Sequence, residues 1–321
     1  MARRRIGEFE LIARYFAPLA KSFAGARGLA SDNAFLAADP RHDLVVKTDT
    51  VVAGVHFFVD EKPGLVAQRA LRVCLSDLAA GGATPYVYQL SLSLARGWTE
   101  RWIAGFAQGL AVDQRRFGIV LCGGDTTGTP GPTTVTITAF GRVARGKGLG
   151  RDGARAGDDL WVSGTIGDAA LGLLAARGAL KSSDLEQRYR LPLPRTTLGA
   201  RLIGVASATA DISDGLIADA GHIANASRLA VHIERDLVPL SVAAKRVVMG
   251  EPALWANVLG GGDDYELAIA VPPGKRTALL AAARAAKVKV ARIGAFARGK
   301  GVVLTVSGQP RRIAQTGYVH F

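Results

Sequence analysis

The alternation of hydrophobic and polar positions divides the chain into segments with helix-like and strand-like periodicity. Apolar residues that recur every three or four positions predict amphipathic helices, whereas short runs of apolar and β-branched residues predict strands. The predicted helices cover 6–22, 64–80, 99–117, 168–178, 195–206, 215–227 and 274–287. The predicted strands cover 43–52, 86–95, 119–122, 133–143 and 160–163. Because helices separate most of these strands, we expect a mixed α/β (α+β) fold.

A glycine-rich stretch at 145–157 interrupts this pattern. A new strand-like segment follows it, and the chain then alternates strands with alanine-rich helices, so we place a domain boundary between 148 and 156. The sequence therefore predicts an N-terminal domain over 1–150 and a C-terminal α/β domain over 151–321.

Composition places the chain among soluble globular proteins. Of its 321 residues, 49% are hydrophobic and 21% are charged, a balance typical of chains that bury a core. No apolar run approaches the roughly 18 to 20 residues that a membrane-spanning helix needs. Glu8 and Glu10 follow the basic N-terminus where a signal peptide would be apolar, so we expect none. Cys74 and Cys122 lie in apolar surroundings, which is typical of buried thiols in the cytoplasm.

The net charge of +13 is compatible with binding either nucleic acid or small anionic metabolites. The basic residues are scattered along the chain, and the densest clusters are Arg3–Arg5 and pairs such as Arg115–Arg116. No helix-turn-helix, zinc-finger or RNA-binding pattern accompanies them. We therefore expect small-molecule substrates and neither nucleic acid nor a membrane as a partner.

Five short segments combine aspartate with glycine, serine or threonine. They are Lys47–Asp49, Leu75–Leu78, Cys122–Thr127, Asp211–Gly215 and Gly260–Glu266. Each segment alone is also compatible with an ordinary turn, a helix cap or a solvated loop. Together they favour a common function, because catalytic groups usually lie in loops at the ends of strands.

The residue types in these segments indicate magnesium and phosphate chemistry. Clustered carboxylates repel one another unless cations neutralise them, and oxygen ligands without histidine or cysteine favour Mg²⁺ over zinc. Gly123 and Gly124 are expected to open backbone N–H groups to phosphate beside Asp125. Asp211 and Asp214 are expected to converge in a turn that opens a helix. The combination predicts phosphoryl transfer from a nucleotide polyphosphate.

The order and spacing of these motifs resemble those of the thiamine-monophosphate kinase family, within the aminoimidazole-ribonucleotide-synthetase-like superfamily. The segments that carry the resemblance are Gly7–Ile12, Thr48–Thr50, Gly54–Phe57, Leu75–Ala79, Gly123–Thr127, Asp211–Gly215, Gly261–Glu266 and Gly317–Phe321. The resemblance implies a two-domain fold in which the N-terminal mixed sheets of two chains form a barrel in a homodimer, with a C-terminal α/β domain. It also implies ATP-dependent phosphorylation of thiamine monophosphate to thiamine diphosphate, by direct in-line transfer with several Mg²⁺ ions.

The resemblance further implies roles for individual residues. The domain over 1–150 would bind ATP and Mg²⁺ and form the dimer, and the domain over 151–321 would complete the nucleotide and substrate site. The metal-site positions are Asp32, Asn33, Lys47, Thr48, Asp49, Asp77, Asp125, Asp211 and Asp214. The ATP contacts are Gly124, Asp125, Arg151 and Ser213, and the thiamine contacts are His56, Asp263 and Tyr318. We expect no general base, because the attacking phosphate oxygen is already ionised.

Three positions depart from the family pattern. Asn33 stands where the family has a metal-binding aspartate, Lys47 where it has serine or threonine, and Asp263 where it has glutamate. The amide of Asn33 removes one negative charge, and the Lys47 cation can substitute for one Mg²⁺ ion. Our hypothesis is that the chain binds one metal ion fewer than its relatives, or binds it more weakly.

Two other functions stay open on the sequence alone. One is another ATP-dependent synthetase of the same superfamily, although the reactive cysteine that a selenophosphate synthetase carries near its N-terminus is absent. The other is a catalytically silent, metabolite-binding homologue, for which Asn33 and Lys47 are the main support. Release of ADP with and without an acceptor distinguishes these functions.

Overall fold

The structure, a computed structural model, describes residues 6–31, 33–313 and 317. The described residues form two compact units. The first unit contains the residues up to Leu78 together with Thr84–Arg145. The second unit contains Ala79–Ala83 and the residues from Gly146 onward.

The first unit is built on one mixed sheet. Its strands are β1 (His42–Val52), β2 (Thr84–Ala95), β3 (Val120–Thr129) and β4 (Thr134–Ala144). Their order is β1-β4-β2-β3, in which β4 is antiparallel to both neighbours and β2 is parallel to β3. The helical segments are α1 (Glu8–Leu11), a π-helix (Ile12–Phe16), α2 (Ala17–Ala20), a 3₁₀-helix (Ala24–Leu29), α3 (Pro63–Ala80) and α4 (Glu100–Phe117).

Helices α3 and α4 pack closely because glycines face each other at their contact. A Cβ at Gly109 would lie 2.4 Å from the backbone oxygen of Gly64, so a side chain there would push the helices apart. The buried Arg72 donates from Nε to Asp113 Oδ2 over 2.6 Å and joins the same two helices. The Thr99 side chain accepts a backbone hydrogen bond and caps the start of α4.

The second unit is built on a larger sheet. Its strands are β5 (Asp159–Ser163), β6 (Ala208–Ile212), β7 (Ala230–Glu234), β8 (Glu266–Val271), β9 (Val290–Ala297), β10 (Gly301–Val306) and β11 (Gln309–Arg311). Their order is β11-β10-β7-β9-β5-β8-β6, and among these strands β10 and β7 are parallel while the other neighbours are antiparallel.

Helices alternate with these strands along the sequence of the second unit. They are α5 (Asp168–Ala176), α6 (Ser183–Arg190), α7 (Thr196–Gly199), α8 (Leu216–Ala226), α9 (Val242–Gly250), α10 (Trp255–Gly260) and α11 (Arg276–Ala285), with 3₁₀-helices at Arg235–Leu237, Pro252–Leu254 and Pro273–Lys275. In the part of the chain that the structure describes, no helix combines the length and hydropathy needed to cross a bilayer.

Both faces of the larger sheet are covered by hydrophobic side chains. Leu160 and Val162 belong to one hydrophobic cluster, and Trp161 belongs to another. Because consecutive strand residues point to opposite faces, the two clusters lie on the two faces of the sheet. All five residues of β5 are buried, as expected for a strand that is covered on both sides.

The structure confirms the mixed α/β (α+β) class and corrects two predicted elements. The helix expected over 195–206 ends at Gly199. The chain continues in turns, each closed by a hydrogen bond between backbone groups three residues apart, such as the one from Arg201 N to Leu198 O. The strand expected over 119–122 continues to Thr129, because β2 pairs with it throughout. The predictions did not include the shorter helices α6, α9 and α10.

Candidate functional site

Strand β1 and helix α3 bring two aspartates of the first unit to one lysine. Lys47 and Asp49 are two residues apart on β1 and therefore point to the same face of the sheet. The Lys47 Nζ lies 3.2 Å from Asp49 Oδ1 and 3.2 Å from Asp77 Oδ1. Burial raises the pKa of Asp77 to about 6, although the charge of Lys47 acts in the opposite direction. The two carboxylates thus share one ammonium group.

Cys74 contacts the second oxygen of Asp49. The buried Cys74 Sγ donates to Asp49 Oδ2 over 3.5 Å and to the backbone oxygen of Ile137 over 3.3 Å. Burial and the neighbouring Asp49 carboxylate raise the pKa of the thiol, so the neutral S–H form is present. The sequence suggested only that Cys74 is buried. Its position one helical turn before Asp77 is the signal that links it to this cluster.

The pleat of β1 places the side chain of Thr48 on the opposite face of the sheet. Its Oγ1 lies 2.9 Å from Thr138 Oγ1 on β4. Asp125 on β3 shares this face, because it pairs with Ser91, and Ser91 pairs with Thr136, two residues from Thr138. The structure therefore separates Asp125 from the carboxylate pair at the lysine, although the sequence suggested a single set.

A cavity of about 370 Å³ lies beside Asp125 in the first unit. Asn33, Gly124, Asp125 and Thr138 are among the residues that line it. We expected Gly124 in a loop that approaches phosphate, but it lies within β3 and approaches the neighbouring strand instead. A Cβ at Gly124 would lie 1.8 Å from the backbone oxygen of Leu90, so only glycine fits this position.

Other predicted site residues lie elsewhere or outside the described residues. His56 follows β1, and its Nδ1 accepts a backbone hydrogen bond of 3.1 Å from the end of that strand, which fixes the ring. Arg151 is exposed in the second unit. Asp32 and Tyr318 lie outside the described residues, so their predicted roles stay predictions.

The second unit gathers Asp211, Ser213 and Asp214 at the predicted turn between β6 and α8. Asp211 is buried at the end of β6, and Ser213 and Asp214 are partly exposed. The Asp219 carboxylate organises the turn, because its Oδ2 accepts backbone hydrogen bonds of 3.0 Å from Ser213, Asp214 and Gly215. None of the sequence motifs pointed to Asp219. Its signal is an acidic residue in the first turn of a helix.

The same turn carries side chains that can bind a cation. Asp219 is fully buried, and its Oδ1 receives no hydrogen bond from the described residues. Burial and the charge of Asp214 raise the pKa of Asp219 to about 7. One ligand atom each from Asp214, Asp219 and His222 lie within 4.8 Å of one another. The carboxylates of Asp214 and Asp219 offer the oxygen ligands that Mg²⁺ prefers, whereas the His222 imidazole offers a nitrogen, which Mg²⁺ seldom binds. The two aspartates at this turn therefore fit that ion.

The glycine-rich loop before β8 is fastened to this turn. The backbone N–H of Asp263 donates to Ser213 O over 2.9 Å, and that of Tyr265 donates to Ile212 O over 2.8 Å. A Cβ at Gly262 would lie 2.1 Å from Ser213 O, so only glycine permits this approach. Asp263 itself has a φ of +72°, which is uncommon for a residue with a side chain. The predicted thiamine contact is therefore held beside the predicted ATP and metal residues of the turn.

Asp264 fastens the same loop to the start of α5. Its Oδ2 accepts a hydrogen bond of 2.6 Å from the N–H of Gly167, and its Oδ1 accepts one of 3.0 Å from Ala169. Burial raises the pKa of Asp264 to about 8, although the two backbone donors favour the charged form.

Glu266, the first residue of β8, is fully buried among cationic side chains. Its Oε2 accepts hydrogen bonds of 2.6 Å from Ser163 Oγ and from Arg195 Nε, and its Oε1 accepts one of 3.1 Å from Arg188 Nη2. Arg195 Nη2 donates to Oε1 as well. The sequence placed Glu266 in the acidic motif but did not reveal these partners, which lie more than seventy residues away along the chain.

Comparisons with known proteins cover both units. Residues 30–143 match the family model of AIR synthase related protein, N-terminal domain, and residues 155–307 match that of the C-terminal domain. The chain is 42% identical over 318 residues to the thiamine-monophosphate kinase of Caulobacter vibrioides, which covers 98% of this chain and 90% of the relative.

Solved structures agree with these matches. The thiamine-monophosphate kinase from Stenotrophomonas maltophilia superposes with a TM-score of 0.84 at 40% identity, over 95% of this chain and 98% of that one. AaThiL complexed with AMPPCP and TMP superposes with a TM-score of 0.79 at 27% identity, over the full length of both chains. These matches confirm the two-domain fold that the motifs implied. The chain belongs to the thiamine-monophosphate kinase family of AIR synthase related proteins.

Proposed function

We propose that the chain transfers the γ-phosphoryl group of ATP to thiamine monophosphate and so forms ADP and thiamine diphosphate. Full-length relatives named for this activity support the proposal, as does the similar AaThiL complex with AMPPCP and TMP. The observation that carries it in this chain is the pair of backbone hydrogen bonds that holds the Asp263 loop against the Ser213 turn. That contact keeps a proposed thiamine contact beside proposed contacts to ATP and metal.

Aspartates in both units are proposed to bind several Mg²⁺ ions. Asp125, beside Asn33 at the cavity, is one ligand, and Asp211 and Asp214 at the turn are others. When bound, the ions neutralise the polyphosphate charge that opposes attack by an anionic acceptor. The Asp219 carboxylate positions this turn through its backbone hydrogen bonds.

Contacts to ATP are proposed for residues of both the 1–150 and the 151–321 segments. The Arg151 guanidinium suits bidentate binding of phosphate oxygens, and the Ser213 hydroxyl can donate a hydrogen bond to them. Gly124 is proposed to contact ATP from the wall of the cavity that it lines. Asp125 would contribute to this set by holding a Mg²⁺ ion that neutralises phosphate charge.

Contacts to thiamine monophosphate are proposed for His56, Asp263 and Tyr318. The Asp263 carboxylate attracts the cationic thiazolium ring, and Tyr265 supports it by donating from its hydroxyl to Asp263 Oδ1 over 3.1 Å. Tyr318 is proposed as an aromatic face for the same cation.

Transfer is proposed to be direct and in line, without a general base. The attacking oxygen belongs to a phosphate group that is already ionised, so the protein has to position the two phosphates and neutralise their charge. We expect a pH–rate profile in which no basic limb disappears when a single side chain of the site is replaced.

A homodimer is the proposed assembly, with the N-terminal sheets of two chains forming a barrel. Leu44 and Val46 lie on the edge strand β1 and are 48% and 54% exposed, which would be an unfavourable arrangement for an isolated chain. Sedimentation of the wild type and of Val46→Asp tests this, and we expect the variant to become monomeric. A dimeric variant would contradict the proposed barrel. We place the enzyme in the cytoplasm, where ATP and Mg²⁺ are abundant.

A single assay separates the proposed activity from the two alternatives. The purified chain is incubated with ATP and Mg²⁺ and with thiamine monophosphate, thiamine or no acceptor, and both ADP and thiamine diphosphate are measured. We expect thiamine diphosphate only with the monophosphate, in equal amount to ADP. ADP without thiamine diphosphate would indicate a different superfamily synthetase. The absence of both ADP and thiamine diphosphate would indicate a silent homologue.

A further inference from the structure

Two aspartates of the first unit converge on one lysine side chain. The Lys47 Nζ lies 3.2 Å from Asp49 Oδ1 and 3.2 Å from Asp77 Oδ1. The exposed fractions of the three side chains are 35%, 28% and 24% respectively. Water therefore screens this ammonium group less than it would at an open surface, and its attraction to both carboxylates is correspondingly stronger.

The surroundings hold the three groups in this arrangement. Both oxygens of Asp49 are engaged, Oδ1 by Lys47 and Oδ2 by the thiol of Cys74. Strand β1 pairs with β4 along its whole length, from His42 to Val52, so the backbone that carries Lys47 is fixed. The ammonium group is thus part of the packed structure of β1 and α3.

We propose that Lys47 is the resident cation of this pair, and that Asp49 and Asp77 bind no divalent ion while Lys47 is present. The ammonium group already occupies the point from which a metal ion would bridge the two carboxylates. A divalent ion at that point would also meet a full positive charge a few ångströms away. The corollary that the Mg²⁺ ions of the reaction bind at other aspartates rests on the proposed function, whereas the assignment of Lys47 does not.

The faces of the sheet support this assignment. Lys47 and Asp49 point to the face that packs against α3, whereas Asp125 and Asn33 line the cavity that lies with Thr48 on the other face. A metal ion at Asp125 can therefore bind without displacing the lysine.

A chain with a neutral residue at position 47 is expected to bind a divalent ion at Asp49 and Asp77. Two half-buried carboxylates would then face the same point without a cation, which is an arrangement that favours a divalent ion. Threonine is the suitable replacement, because its β-branched side chain fits a strand and it carries no charge.

The experiment counts bound Mn²⁺ per chain in the full-length, nucleotide-free protein, by electron paramagnetic resonance of the unbound ion. We compare the wild type, Lys47→Thr, Asp77→Asn and the double variant. Lys147→Thr, which removes an exposed lysine after β4, is the matched control. We expect Lys47→Thr to bind one Mn²⁺ more than the wild type and the double variant to lose it again. Asp77→Asn alone and Lys147→Thr should leave the count of the wild type unchanged.

Two results would overturn the assignment. If Asp77→Asn alone lowers the count by one, the pair binds a metal ion despite Lys47. If Lys47→Thr, folded as judged by its circular dichroism, binds no additional Mn²⁺, the pair is not a metal site that the lysine occupies. Should Lys47→Thr not fold, Asp77→Asn in the wild-type background still decides the question. The counts do not depend on turnover, so they stand even if no thiamine diphosphate is formed.

Discussion

In the first unit, Asp49 and Asp77 lie on either side of a lysine ammonium group, whereas in the second unit the buried Asp219 is held by three backbone N–H groups. These arrangements leave different net charges. An ammonium group adds a full positive charge and repels a metal ion, while N–H dipoles orient a carboxylate without cancelling its charge. A group of aspartates in a sequence is therefore a metal site only where the neighbouring donors leave negative charge available.

The second unit also contains a carboxylate whose charge is fully compensated. Glu266 receives hydrogen bonds from Arg195, Arg188 and Ser163 and is closed off from solvent. Like the aspartate pair at Lys47, and unlike Asp219 of the same unit, Glu266 has its charge balanced by cationic side chains. The second unit thus contains both a carboxylate whose charge is neutralised by cationic side chains and one whose charge is not. Substitutions can test this difference.

The largest expected effect is on stability at the compensated Glu266. Glu266→Gln leaves Arg195 without its anion and leaves Arg188 with only the more distant Asp168 carboxylate, 3.9 Å away, so we expect the free energy of unfolding to fall by about 3–5 kcal/mol. Urea denaturation measures this. The control is Glu186→Gln, which breaks the more exposed pair with Arg190 on α6 and should cost less than about 1 kcal/mol. Equal losses in the two variants would contradict the distinction.

Next in size is the effect on turnover of the aspartates proposed to bind metal. Asp125→Asn in the first unit and Asp214→Asn in the second each weaken charge neutralisation in the transition state, so kcat should fall roughly 10²- to 10³-fold. The free energy of unfolding should change little, because both residues are at least partly exposed. Steady-state kinetics with thiamine monophosphate checks this. A variant that keeps wild-type kcat would remove that residue from the proposed set.

A smaller effect is expected where backbone donors hold the carboxylate. Asp219→Ala leaves three N–H groups of the 213–215 turn without their acceptor, so we expect a loss of about 1–3 kcal/mol in the free energy of unfolding. The KM for ATP should rise at the same time, because the turn carries Ser213. Asp184→Ala, at an exposed acidic position in the first turn of α6, is the control and should change neither quantity.

The last effect depends on pH and concerns Asp264. Its pKa is raised to about 8 in the folded chain from an ordinary value of 3.8, because of burial. The folded state therefore binds this proton more tightly than the unfolded state, and its contribution to stability is lost as the pH rises towards 8. Asp264→Asn removes this titratable group, so the stability of the wild type relative to the variant should decrease as the pH rises from about 4 to about 8 and stay level above that. Parallel pH profiles of the urea midpoints would contradict the assigned pKa.

The fold was most predictable where periodicity was regular and long. The helices expected over 64–80 and 99–117 match α3 and α4 within a residue, since their apolar stripes match the helical repeat throughout. The helix expected over 195–206 was wrong beyond Gly199, because the spacing of apolar residues does not reveal where a tertiary contact ends a helix. At Gly199 a Cβ would lie 2.1 Å from the backbone oxygen of Ala79.

The candidate site was predictable as a list of residues and not as an arrangement. The motifs identified Asp211, Ser213 and Asp214, and the structure places all three at one turn. They did not identify Asp219 as the acceptor of that turn. Nor did they show that Asp264 binds Gly167, because this hydrogen bond joins residues 97 positions apart.

By itself, the sequence determined the α/β class, the family and the set of carboxylates, since these follow from periodicity and from the spacing of short motifs. Only the tertiary structure decided which of the carboxylates already have a cation. Thr48 and Asp49 are neighbours in the chain but lie on opposite faces of the sheet, whereas Lys47 and Asp77 are thirty residues apart and lie 3.2 Å from each other. Charge compensation acts over a few ångströms, and the pleat of β1 and the packing of α3 against it set those distances.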